Sequence, residues 1–206
     1  MKELTIGLEA TRANKQYKTG TEWYAWHLLQ EFKKIDNKNK FIVYYNEYLA
    51  GELTDAPGNF YFKRLVWPFR KFWTHIRLSF ELLKNPVDKF FASNAVPIFT
   101  RGQIIVTIHD LGFYRNPKLY HPLELWYQRW SHRLAIKKAD KIIAVSQETK
   151  RDIIKYFPNA ENKIKVIYHG WDKEVFGNIS EDESESYKEQ HDLPDKYILY
   201  IGRLET

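Results

Sequence analysis

The sequence contains no cysteine. Disulfides, thiolate metal sites and cysteine nucleophiles are therefore excluded, and the composition fits a reducing compartment. No stretch approaches the roughly 20 consecutive apolar residues that a membrane-spanning helix needs. The N-terminal MKELTIGLEA lacks the basic-then-apolar order of a secretion signal, so the chain is expected in the cytoplasm. There is no internal repeat and no low-complexity tract. His75, His121, His132, His169 and His191 are scattered, and none pairs with another at ligand spacing, so no metal site is expected. GxGxxG, Walker, GxSxG and HExxH patterns are also missing.

What is present is a chain of 206 residues that is 44% hydrophobic, enough for one full α/β domain with some length to spare. The net charge is +6 and aromatics reach 17%. A basic surface suits an anionic partner, whether a membrane face, a phosphorylated substrate or nucleic acid. Mild basicity is also common without such a partner. The segment KRLVWPFRKFW (Lys63–Trp73) combines both features. Its aromatics could be core with the cations on the wet side, or the segment could seat the protein on an anionic bilayer. Stacking on bases is the third reading. Nucleic acid is not the expected partner, because the basic residues are spread along the chain and no RNP or helix-turn-helix pattern appears.

Short β-branched or aromatic runs alternate with helical patterns. Strands are expected at Leu4–Leu8, Phe41–Tyr45, Asn59–Leu65, Lys89–Phe91, Gln103–Ile108, Lys141–Val145, Lys165–Tyr168 and Tyr197–Gly202. Helices are expected from Gly20 and Thr21 through EWYAWHLLQEFKKI, from Pro122 to about Lys138, and over QETKRDIIKYF with Ser146 as its cap and Pro158 and Asn159 as its stop. Between Phe72 and Leu83, apolar residues at 72, 76, 80 and 83 predict a further amphipathic helix. The acidic ISEDESESYKEQ (Ile179–Gln190) reads as a solvated loop or surface helix. Strands apolar on both faces, alternating with helices, predict a parallel, Rossmann-like α/β sheet covered on both sides.

Two places carry candidate chemistry. Thr19, Gly20 and Thr21 open a helix after the first strand, at an edge where ligands bind in such sheets. A glycine lets a ligand approach the backbone, and a helix N-terminus offers N–H groups to a phosphate; a plain turn glycine is the alternative. His109 and Asp110 directly follow the strand 103–108. The histidine can bond a hydroxyl or phosphate or move a proton near neutral pH, and the aspartate can orient a neighbour. A structural strand-end cap is the alternative.

Six stretches in register resemble the GT-B glycosyltransferases of family 4, the mannosyltransferase-like group. They are IGLEA with KTGTEWYAWHLL, NPVDKFFASNAVPIF, TIHDLGFYRNP, KKADKIIAVSQETKRDIIKYF, KIKVIYHGWDKEVF and YILYIGRLE. The resemblance implies two Rossmann-like domains facing across a cleft, the first binding the acceptor and the second the nucleotide-sugar. It further implies hexosyl transfer with retention of configuration, no essential metal or other cofactor, and a glycan or lipid-linked acceptor. By the same resemblance, Gly20, with Thr21 and Glu22 beside it, would place backbone N–H groups near the donor phosphate or the transferred sugar. His109 would face that sugar with Asp110 as its neighbour, and Arg203 would grip the donor pyrophosphate. Glu22 stands where many relatives have a second glycine. The lysine and the acidic motif expected after Arg203 fall beyond Thr206. The expected layout is an acceptor-side domain over 1–178, an acidic linker over 179–195, and the first strand of a truncated donor domain over 196–206. Such a half is expected to be inactive alone, cytoplasmic or peripheral at the inner membrane face. The alternative to an enzyme is a non-catalytic Rossmann-like binding module.

Overall fold

The computed structural model describes residues 2–49, 51–69, 71–173, 175–177, 179–194 and 196–200. The chain forms two compact units, Met1–His169 and Gly170–Thr206. The first contains β1 (Thr5–Glu9), α1 (Gly20–Ile35), β2 (Lys40–Tyr45), α2 (Gly51–Thr54), β3 (Phe60–Arg64), α3 (Leu78–Lys84) and β4 (Lys89–Ala92). It continues with β5 (Gln103–Ile108), α4 (Gly112–Arg115), α5 (Pro122–Lys138), β6 (Lys141–Ala144), α6 (Gln147–Tyr156) and β7 (Ile164–Val166). The second unit holds one helix among its described residues, α7 (Glu181–Gln190).

All seven strands are parallel, in the order β3-β2-β1-β4-β5-β6-β7. The order reverses between β1 and β4. At such a switch point the connections on either side leave the sheet toward opposite faces, which opens a crevice at the carboxyl ends of the strands. Because strand side chains alternate, β2 feeds both faces. Phe41 and Val43 join Leu8, Leu29 and Phe60 in one fully enclosed cluster under α1. Tyr44 joins Phe90, Val106, Ile108 and Ile142 in the other, covered by α3, α5 and α6. This double burial is why the strands read as continuous apolar runs. The turn into β5 needs Gly102, since a Cβ there would lie 2.1 Å from the carbonyl oxygen of Val87.

The segment from Phe72 to Leu83 departs from the expected uniform helix. Phe72 is left-handed (φ 67°), Trp73–Arg77 is a π-helical turn, and only then does α3 begin. A wider turn shifts the phase of every residue after it. As a result Phe80 and Leu83 face solvent, while Trp73, His75, Leu78 and Leu82 are buried. Ser146 caps α6 as expected, its Oγ accepting from the Thr149 N–H at 3.0 Å. Residues 197–200, four of the six in the strand expected over Tyr197–Gly202, are exposed and form no strand; residues 201 and 202 lie outside the described residues. A strand needs a neighbour to satisfy its ladder, and the described part of the second unit offers none. Residues 181–190 form a surface helix with a capping box, Ser180 Oγ accepting from Glu183 N–H at 3.2 Å while the Glu183 carboxylate accepts from Ser180 N–H at 2.9 Å.

Candidate functional site at the switch point of the sheet

The sequence-predicted residues of the first unit lie where strands end. Glu9 closes β1, and its Oε2 accepts a 3.4 Å bond from the hydroxyl of Ser93, just past β4. That bond spans the switch point. Glu9 Oε1 accepts from the N–H and hydroxyl of Thr11. Burial raises the pKa of Glu9 despite these bonds and the nearby charge of Arg12. A small recess of about 20 Å³ lies beside it, lined by Leu8, Ala10, Ala25, Leu29 and Phe91.

Arg12 ties the loop after β1 to the glycine loop. One guanidinium nitrogen donates to Thr21 Oγ1 at 2.9 Å and to Glu22 Oε1 at 3.0 Å. The other carboxylate oxygen of Glu22 accepts from the N–H of Thr19 at 3.2 Å and from its hydroxyl. Burial pulls the pKa of Glu22 up, but the Thr19 bonds and the Arg12 charge outweigh it and leave it lowered. The departure from glycine at this position therefore has a local use: Glu22 fastens the first turn of α1 from two sides. At Gly20 a Cβ would meet nothing within 4 Å. The fold itself sets no steric demand for glycine there.

His109 follows β5. Its Nε2 lies 3.2 Å from the carbonyl oxygen of Ser93, and a carbonyl only accepts, so Nε2 carries the proton. The backbone is fixed too, the His109 carbonyl accepting from Thr149 Oγ1 of α6 at 3.0 Å. The imidazole is flanked by Tyr24 of α1, edge to face at 4.9 Å, and by His169, nearly parallel at 5.6 Å. Tyr24 is itself held by a 3.0 Å bond between its hydroxyl and Thr107 Oγ1. Burial, then the charges of His169 and Arg12, push the pKa of His109 down to about 4. At neutral pH the ring is therefore uncharged, a donor at one nitrogen and an acceptor at the other.

Asp110 points elsewhere. Its Oδ1 accepts from the Gly112 N–H at 2.8 Å, which shapes the turn into α4. Its charge also reaches His132, whose pKa burial lowers to about 4. His132 lies within α5, its Nδ1–H donating to the Gln128 carbonyl at 3.0 Å. Arg203 lies outside the described residues. Among the described residues no group of three His, Asp or Glu side chains gathers as a metal cage, and no helix is long and apolar enough to cross a membrane.

Sequence reasoning missed Glu9, Arg12, Tyr24, Ser93 and His169 as members of the site. A signal was there for three of them. Glu9, Ser93 and His169 each sit at or shortly after the end of an apolar run that forms a strand, as His109 does. Tyr24 and Arg12 carried none, since their partners are distant in sequence or lie in an irregular loop.

This geometry can be compared with known proteins. The pattern of Glycosyltransferase Family 4 matches residues 19–175. An uncharacterised glycosyltransferase of Methanocaldococcus jannaschii is 26% identical over 147 residues, spanning 65% of this chain and 36% of that one. The O-antigen chain mannosyltransferase of Salmonella typhimurium is 28% identical over 125 residues, spanning 60% and 33%. The chain thus spans about a third of the length of these relatives. Among solved structures, Anabaena HepE in complex with UDP and glucose superposes with a TM-score of 0.54 at 16% identity, over 92% of this chain and 50% of that one. The glycosyltransferase WaaG, involved in lipopolysaccharide biosynthesis, superposes with a TM-score of 0.63 at 12% identity, over 92% and 52%. These likenesses speak to the fold. With the family pattern covering most of the chain, and a parallel sheet whose polar residues converge at the switch point, this protein belongs to Glycosyltransferase Family 4.

Proposed function

We propose that this chain is the acceptor-side half of an enzyme that moves a hexose from a nucleotide-sugar to a glycan or lipid-linked acceptor, with retention of configuration and without a metal. The observation that carries the reading is the neutral, doubly oriented His109 at the carboxyl end of β5, one strand from the switch point, bonded to Ser93 at 3.2 Å through Nε2 and to Thr149 at 3.0 Å through its carbonyl. An uncharged imidazole of fixed tautomer suits the recognition of a sugar hydroxyl. Gly20 leaves open space at the start of α1, where backbone N–H groups and the helix dipole favour a phosphate. Arg12 and Glu22 hold that first turn in place. A relative named as an O-antigen chain mannosyltransferase and a neighbour solved with UDP and glucose support the substrate class.

The donor half would hold the nucleotide-sugar, with Arg203 gripping its pyrophosphate, and an acceptor-side half alone would not turn over. Exposed Val66, Phe69 and Trp126, with Lys71 over the ring of Tyr127 at 4.9 Å, support peripheral contact with an anionic membrane at the inner face, in keeping with a lipid-linked acceptor and a cytoplasmic protein. The test is nucleotide release from UDP-, GDP- and ADP-sugars, by the 206-residue chain and by the longest product of its reading frame, with His109→Ala and Arg203→Ala beside it. Release from one donor class, lost in both variants, is expected. A folded protein that neither binds nor cleaves any donor would leave a non-catalytic binding module.

A further inference from the structure

His169 is the last residue of the first unit. It lies three residues past β7, on a different strand from His109 and sixty positions away in sequence. Its side chain is exposed, so no need of the core holds it there. Yet its ring meets two others. It stacks on His109 with centroids 5.6 Å apart and planes 22° from parallel, and it meets Tyr24 at 4.9 Å and 64°. Tyr24 in turn stands nearly perpendicular to His109 at 4.9 Å. Three rings, from α1, the end of β5 and the loop after β7, thus form one closed triangle. The Tyr24 vertex is tied to β5 by its 3.0 Å bond to Thr107.

We propose that His169 is a positioning residue for transfer. Its imidazole covers one face of His109 and, with Tyr24, holds that ring in a single orientation, Nε2–H on Ser93 and Nδ1 presented as the acceptor. The reason is geometric. One hydrogen bond to a carbonyl fixes a direction but leaves the ring free to tilt about it, and a flipped ring would exchange the roles of its two nitrogens. Flat contacts on one face and an edge contact from Tyr24 remove that freedom. A second imidazole also adds a like charge whenever both protonate, which disfavours the charged form of His109. An aliphatic side chain at 169 would supply neither the flat face nor the charge. This inference rests on the reading of His109 as the residue that meets the sugar.

The experiment is two-bond ¹H–¹⁵N NMR on the 206-residue chain labelled at histidine, with His169→Ala and His169→Phe. The ¹⁵N shifts of Nδ1 and Nε2 report tautomer and charge directly, and a merely structural residue on the surface would not move them. In the parent chain His109 is expected as the Nε2–H tautomer, titrating near pH 4. In His169→Ala the signals should shift toward a tautomer mixture and the titration should move upward, since both cover and like charge are lost. His169→Phe restores the flat face and should restore the single tautomer. Unchanged tautomer and titration in His169→Ala overturn the proposal, as does a mixture in His169→Phe equal to that in His169→Ala. The readout needs no substrate. Failure here leaves nucleotide release by His109 variants untouched, and retention of that release in His109→Ala would count against the role of His109 while the tautomer result for His169 still stood.

Discussion

Thr149→Val is the sharpest probe of how the fold holds its site. Thr149 is buried, at 6% exposure, and its Oγ1 does two things. It donates to the His109 carbonyl at 3.0 Å and lies 3.0 Å from the Ser146 hydroxyl. Valine keeps the volume and branching but deletes the donor. The N–H of residue 149 still reaches Ser146 Oγ, so the cap of α6 survives. What is lost is the donor to the His109 carbonyl, together with the contact to the Ser146 hydroxyl, and that carbonyl is left without its partner. Removing one partner of a buried pair costs about 1–3 kcal/mol, a substantial part of a total stability of roughly 5–15 kcal/mol. For a chain of 206 residues each kcal/mol lowers Tm by about 2–4 °C, so a fall of roughly 2–12 °C is expected. Urea and thermal unfolding measure it, with Thr149→Ser as the control that keeps the hydroxyl. The serine variant should lie close to the parent. If valine proved as stable as threonine, or serine as damaging as valine, the claim that this bond anchors His109 would be refuted.

Three further expectations follow from the same geometry. Phe41 is fully buried, stacked on Phe60 at 4.5 Å and tilted against Phe32 at 5.7 Å, so Phe41→Ala should cost about 3–5 kcal/mol in urea unfolding; a loss below 1 kcal/mol would mean the cluster under α1 is not packed as described. His132 has its pKa depressed to about 4 by burial, so its contribution is present above the unfolded value near 6.5 and is lost as pH falls toward 4. That window is worth roughly 3 kcal/mol, and His132→Gln should flatten the dependence of unfolding free energy on pH there. Gly20→Ala should change stability by less than about 1 kcal/mol, because the added methyl meets nothing, yet under the proposed function it should weaken nucleotide-sugar binding by the longest product of the reading frame; equal binding would remove the role given to Gly20.

The period of the apolar residues was enough to define a parallel α/β sheet, because a strand buried on both faces has no other way to be written. It also located His109 and the glycine loop, since a polar pair after a buried run can only be the strand's end. The π turn was not legible: the spacing of Phe72, Ile76, Phe80 and Leu83 fits an α-helix, and the extra residue per turn that rotates Phe80 and Leu83 outward is a response to packing around Trp73 and His75. Nor was the site's full membership. Glu9 and Ser93 are 84 residues apart in sequence and meet only because β1 and β4 are neighbours at the reversal of strand order.

Local chemistry, then, was the sequence's own: caps such as Ser146, the glycine turns, the alternation that sends Phe41 and Val43 one way and Tyr44 the other. These depend on neighbours within a few residues, and the chain states them directly. Only the tertiary structure decided which distant groups share one space. The switch point brings Glu9 to Ser93, the pairing of β4 with β5 brings Ser93 to His109, and the closing of β7 beside β6 carries His169 to the same ring. Burial by those partners, rather than the identity of histidine, is what lowers the pKa of His109. A side chain's charge state is set by its surroundings, and strand order fixes those surroundings.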